Sequence, residues 1–189
     1  MGFELSCDDG VGRLLATLAA AVPPEGRILE IGTGAGVGLA WLLSGLGDRR
    51  DVEVVSLEKD DALAESAMAA VANWPHGVSI GHGDALEILP HVGAFDLVFA
   101  DAEGGKAEGL DLTLAAVAPG GILVVDDMLP KIGDTYHASL LPELKAVREI
   151  LLCHPAFTSS EIDFSTGVIV STRQQHHPLR PDDQAGANI

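Results

Sequence analysis

Six acidic residues of this chain end or follow apolar runs, and the first of those runs breaks into a glycine-rich turn. In RILEIGTGAGVG, at 27–38, Glu30 stands two residues ahead of Gly32, Gly34 and Gly36. A strand that closes in glycines lets the backbone pass near a nucleotide-like ligand, because a Cβ would block the turn or the approach. Further along, Glu58 closes VEVVSLE, Asp84 follows GVSIGH, Asp101 follows FDLVFA, and Asp126 and Asp127 follow GGILVV. In open parallel sheets the ligand crevice lies outside the carboxyl ends of the strands, so these are the places where chemistry is expected. Glu58 can accept both hydroxyls of a ribose, or cap the helix that follows it. Asp126 and Asp127 are harder to place by packing, since two ionised carboxylates at the end of a buried strand repel unless a cation compensates. With Asp101 on a neighbouring strand, three carboxylates converge, an oxygen-only donor set suited to Mg2+ or Ca2+.

The glycine spacing narrows the ligand. The dinucleotide fingerprint GxGxxG, begun at Gly32, meets Val37 where its third glycine should stand; begun at Gly34, it meets Leu39. An acid two residues before GxGxG remains, and this resembles the first motif of class I S-adenosylmethionine-dependent methyltransferases. The resemblance implies S-adenosylmethionine as cofactor, with Glu30, Gly32, Thr33, Gly34, Gly36, Glu58, Lys59, Asp84, Ala85 and Asp101 around it. It sets Asp84 near the adenine amino group, with the Ala85 N–H near a ring nitrogen, and Asp101 beneath the methionine part. Read from the residues alone, Asp84 is equally a helix N-cap.

The elements that must position these acids alternate. GVGRLLATLAAAV has helical spacing and is stopped by Pro23 and Pro24; LAWLLSGLG, DDALAESAMAAVANW, AEGLDLTLAAVA and LLPELKAVREILL also read as helices. Between them lie the strands RILEI, VEVVSLE, GVSIGH, FDLVFA and GGILVVDD, and regular β/α alternation predicts a doubly wound, Rossmann-like parallel sheet. AFTSSEID and TGVIVSTR, at 156–163 and 166–173, can pair as a hairpin. The resemblance implies that this hairpin completes a seven-stranded sheet, mostly parallel, with antiparallel strands at the C-terminal side. A single domain at 1–173 and a disordered tail at 174–189, which holds His176 and His177, are expected.

The segments ILEIGTG, FDLVFADA, GGILVVDDM and TGVIVSTR together resemble the catechol and caffeoyl-CoA type O-methyltransferases. That resemblance implies that Asp101, Asp126 and Asp127 are metal ligands and that the acceptor is a small phenolic or catechol-like molecule. There are departures. Asp127 stands where that family usually has Asn, Gly104 stands where it has a Lys, and the N-terminal segment that forms part of its substrate lid is short. Methyl transfer is an in-line displacement at carbon, so the protein must align a nucleophile and remove its proton. Asp101, Lys106 and His137 are the catalytic candidates, with Tyr136 beside the last; His137 titrates near neutrality, while Lys106, in EGGKAEG, reads equally as a surface lysine. An N-methyltransferase would keep the cofactor half of the site, although the amino-methylating signature (D/N)PP(Y/F/W) is replaced here by DAEG. A non-catalytic cofactor-sensing module would have no use for Asp101, Asp126 and Asp127 together.

Composition sets outer bounds. A chain of 189 residues, 47% of them hydrophobic, suffices for one α/β core. A formal charge of -17 repels a phosphate backbone, which argues against nucleic acid and is compatible with a small, neutral or cationic substrate. Cys7 and Cys153 lack metal-binding spacing and read as free thiols; the acidic start and the short apolar stretch at 14–22 predict a cytoplasmic protein without a membrane span. A homodimer is left open.

Overall fold

The computed structural model describes residues 7–72, 74, 77–129 and 139–175. In chain order the elements are α1 (Asp9–Ala20), β1 (Arg27–Ile31), α2 (Val37–Leu46), β2 (Glu53–Glu58), α3 (Asp61–Val71), β3 (Gly77–His82), α4 (Ala85–Ile88), β4 (Phe95–Ala100), α5 (Glu103–Lys106), α6 (Leu110–Ala116), β5 (Val117–Val125), α7 (Leu141–Cys153), β6 (Phe157–Ile162) and β7 (Val168–Arg173). The strands form one seven-stranded sheet in the order β3-β2-β1-β4-β5-β7-β6. The first five run parallel, while β7 lies antiparallel to both β5 and β6, so the expected terminal hairpin is present.

Both faces are covered because side chains alternate along each strand. In β4, Leu97 and Phe99 join Ile28 and Val124 under α1 and α2, where Leu15, Leu39 and Leu42 pack. Val98 and Ala100 point the other way, joining Leu29, Ile31 and Leu123 beneath Leu114 of α6 and Val147 and Leu151 of α7. Burial on both faces explains why ILEI and LVFA read as nearly continuous apolar runs. It also makes Glu30, which points to the α2 side within β1, conspicuous.

Two expected boundaries are corrected. AEGLDLTLAAVA is not one helix: Gly109, with φ of 72°, caps a helix that spans only Leu110–Ala116. The next strand starts at Val117, ahead of the expected GGILVV. Its register against β4 shifts between Phe95 and Leu97, and Pro119 falls in that irregular stretch, where its missing N–H costs no regular ladder bond. At the other end Gln174 donates its N–H to the Ala156 carbonyl at 2.9 Å; positions 176–189 of the expected tail, with His176 and His177, lie outside the described residues. Among the described residues no helix is long and apolar enough to cross a membrane.

Candidate active site

Strands added after β1 go first to one side, as β2 and β3, and then to the other, as β4 and β5. This reversal puts the switch point between β1 and β4, the position from which a crevice opens at the carboxyl ends. The glycine turn fills it. The N–H groups of Gly32 and Thr33 both donate to the Leu57 carbonyl, at 2.9 and 3.1 Å, which folds the chain across the end of β2. Gly36, with φ of 80°, then opens α2. A cavity of about 290 Å3 runs from this turn to Asp127, and a smaller one of about 160 Å3 adjoins it. Gly32, Glu58, Lys59, Ala102 and Glu103 line both.

Glu30 is 1% exposed. It accepts a hydrogen bond from the Ser56 hydroxyl at 2.5 Å, and that hydroxyl lies 2.6 Å from the hydroxyl of Thr33. Burial pushes the Glu30 carboxyl up to about 8, against the opposing Ser56 bond and with a further upward push from Glu58. The second residue of α2 must be small here: a Cβ on Gly38 would collide with Glu30 Oε1. Glu58 accepts from the Gly34 N–H at 2.8 Å and from the Asp60 N–H at 2.9 Å, bracing the turn from the neighbouring strand. Asp84 and Ala85 reach the wall of the smaller cavity. Asp84 also accepts from the Leu86 N–H at 2.8 Å, so it caps α4 in addition to lining the cavity. Gly36 shapes the turn without entering either wall.

At the far end Asp101, Asp126 and Asp127 come together, one carboxylate oxygen of each lying within 4.8 Å of the others. Asp126 is 1% exposed, and its Oδ1 accepts from the Asp127 N–H at 2.7 Å and from the Thr166 hydroxyl at 2.5 Å. Burial, then the neighbouring Asp127 charge, pushes its carboxyl up to about 6. Asp101 is held well above the usual carboxylate range by burial; Lys106 opposes this, and Asp126 and Asp127 add to it. The oxygen-only donor set and its spacing fit a hard divalent cation.

Lys106 is not at the surface. It is 4% exposed, with Nζ 3.1 Å from the carbonyl oxygen of Asp126 and 3.9 Å from Asp127 Oδ2. The reason is local. Gly104 and Gly105 interrupt α5 with non-helical angles, and Gly105 takes φ of 94°, a left-handed value that glycine accepts readily. The Thr113 hydroxyl then donates to the Gly105 carbonyl at 2.6 Å and fixes the turn, so Lys106 faces inward. His137 and Tyr136 lie outside the described residues.

Known proteins share this arrangement of strands. The family described as "Methyltransferase domain" matches residues 29–128, just over half of the chain. The chain belongs to that family. The matched part of this methyltransferase domain begins within β1 and ends just beyond Asp127, so it spans the glycine turn and the three acids. A Mycobacterium tuberculosis protein named a probable O-methyltransferase is 35% identical over 123 residues, covering 61% of this chain and 53% of the relative. The chain thus spans about half the length of that relative. Among solved structures, the O-methyltransferase TomG of Streptomyces achromogenes, in complex with SAM, superposes with a TM-score of 0.74 at 28% identity. The superposition covers 91% of this chain and 83% of TomG. The O-methyltransferase of Bacillus cereus in complex with SAH has a TM-score of 0.77, covering 90% of this chain and 84% of its own, and at 22% identity shows the shared fold. The architecture of this methyltransferase domain is therefore the class I one, with its antiparallel β5-β7-β6 side.

Three residues of the site escape a reading of the sequence. Ser56 is in register with Glu30 across the parallel β1–β2 pair, a signal available once those strands are aligned. Thr166 reaches Asp126 from the β6–β7 turn, 40 residues away, and nothing local announces it. Cys7, ahead of α1, lines the larger cavity, where burial and then Asp126, Asp101 and Glu30 raise its thiol.

Proposed function

We propose that this chain is an S-adenosylmethionine-dependent O-methyltransferase that methylates a hydroxyl of a small phenolic or catechol-like acceptor. The observation that carries this reading is that the cavity beginning at the glycine turn ends against Asp101, Lys106 and Asp127. Glu30, Gly32, Thr33, Gly34, Gly36, Glu58, Lys59, Asp84, Ala85 and Asp101 would hold the cofactor. When bound, it supplies a methyl carbon activated by the adjoining sulfonium. The names of the relatives point to O-methyl transfer, and a cation-seeking cluster of three acids gives an acceptor hydroxyl a place to be oriented.

Asp101, Asp126 and Asp127 would hold Mg2+ or Ca2+, which polarises and orients a hydroxyl that it binds. Lys106 presents an ammonium to the same end of the cavity and stabilises negative charge as it develops on the acceptor oxygen. For the proton itself His137 is the candidate, on the ground that its ordinary pKa lies near neutrality. The apolar wall supplied by Leu140 and Val37 would exclude water from the aromatic part of the acceptor. A methyl-transfer screen over catechols and simple phenols, with and without Mg2+, tests the reading. Stabilisation by S-adenosylhomocysteine with no methylated product from any hydroxylated acceptor would overturn the enzymatic part of it.

A further inference from the structure

Lys106 does more at the acidic cluster than face an acceptor. An ammonium that is 4% exposed has lost its water and must be paired by the protein. Among the described residues it lies against the end of β5, with the Asp126 carbonyl at 3.1 Å and the Asp127 carboxylate at 3.9 Å, and its charge is also felt by Asp101. The cluster needs it equally. Asp126 spends its Oδ1 on the Asp127 N–H and the Thr166 hydroxyl, interactions that hold the carboxylate in place but bring no positive charge. Three carboxyls whose oxygens lie within 4.8 Å of one another repel when ionised, and a cation beside them relieves that repulsion. The loop that delivers Lys106 is built for this placement and is anchored on both sides. The Gly105 N–H donates to the Glu108 carbonyl at 2.6 Å, and the Gly105 carbonyl accepts from Thr113.

We propose that Lys106 is the built-in counter-ion of the Asp101, Asp126 and Asp127 cluster, and that a divalent cation enters the cluster by displacing its ammonium. The proposal rests on reading these acids as the metal end of the site. Two cations drawn to the same desolvated carboxylates exclude each other, because each loses by repulsion what it gains by pairing. The flexible four-carbon stem of Lys106 gives the displaced ammonium a route into the cavity that the residue already lines, without moving the anchored loop. The cluster then has two charge-compensated states, one held by lysine and one by metal, and divalent affinity is set by the cost of expelling Lys106.

The test is a calorimetric titration of the cofactor-free protein with Mn2+, comparing wild type, Lys106→Met and Lys59→Met. Lys59 removes the same charge from the cavity wall without touching the cluster. At least a tenfold gain in Mn2+ affinity for K106M, with less than a threefold change for K59M, is expected. An unchanged or weaker affinity in K106M, an equal gain in both variants, or no Mn2+ binding in any of the three would overturn the proposal. A measurement on the wild type does not depend on the variants folding: amine acylation followed by mass spectrometry, with and without Mn2+. Mn2+ should raise the labelling of Lys106 several-fold relative to Lys145, which lies on α7; bound Mn2+ with unchanged Lys106 labelling would sink it. Neither readout involves methyl transfer, so the activity screen can fail while displacement stands, and the reverse.

Discussion

Glu30 and Ser56 face each other across the parallel β1–β2 pair, and the serine hydroxyl donates to the buried carboxyl at 2.5 Å. Glu30 lines the cavity at the glycine turn, and Ser56 is buried behind it. Glu30 is raised from its ordinary 4.5 to about 8, principally by burial, so the native state holds a proton there that the unfolded chain releases. Below pH 4.5 both states carry it and its contribution to stability is greatest. Between pH 4.5 and 8 stability falls as pH rises, by about 1 kcal/mol per unit from this group, and above 8 the loss levels off. Glu30→Gln removes the titration. Melting temperature measured from pH 5 to 8 without cofactor should decline less steeply in E30Q than in wild type; parallel curves would exclude Glu30 as the source.

Gly38→Ala brings a methyl group into collision with Glu30 Oε1 and close against the Phe99 ring. The first turn of α2 must then shift from the cavity. Overpacking of this kind costs about 1–3 kcal/mol, and S-adenosylhomocysteine affinity by calorimetry should fall at least tenfold. Unaltered affinity would mean that the ligand does not touch this part of the wall.

Glu58→Ala leaves the N–H groups of Gly34 and Asp60 without their carboxylate acceptor. Both the turn and the proposed ribose contacts are lost together. Binding of S-adenosylhomocysteine should drop by about two orders of magnitude, the sum of a lost charged hydrogen bond and a loosened loop. Glu58→Gln, which retains one oxygen acceptor, should fall between wild type and alanine in the same titration.

Thr166→Val keeps the shape of the β6–β7 turn but removes the hydroxyl that holds Asp126. A destabilisation of about 1–2 kcal/mol is expected in urea unfolding. Because Thr166 stands at the acceptor end, methyl transfer should suffer while S-adenosylhomocysteine affinity stays within about twofold. Thr166→Ser should restore activity; failure of the serine to rescue would separate the loss from the hydrogen bond.

How much of this was legible in the sequence depended on whether the signal was local. Gly32, Gly34 and Gly36 declared a turn because a turn is made by its own residues, and Asp101, Asp126 and Asp127 declared a strand-end cluster because each follows an apolar run. For Asp84 the cap, one of two readings left open, rests on the same kind of local signal, and the structure shows its hydrogen bond. The direction in which Lys106 points was not local. It depends on the angles of Gly105 and on Thr113, a residue of the following helix, so loop and surface readings were equally open. The single helix expected at 107–118 failed on Gly109, since small and acidic residues on either side preserved helical spacing through a left-handed residue. Ser56 and Thr166 were invisible for a more general reason: their roles exist only between strands.

The 40 residues that separate Asp126 from Thr166 have a consequence for the order in which the protein is made. A ribosome completes the glycine turn and all three acids well before it reaches the turn between the last two strands. A nascent chain therefore holds all three acids before it holds the hydroxyl that fixes Asp126. The Asp126 carboxylate thus waits on the closing hairpin, the last part of the sheet to be made, for its hydroxyl partner.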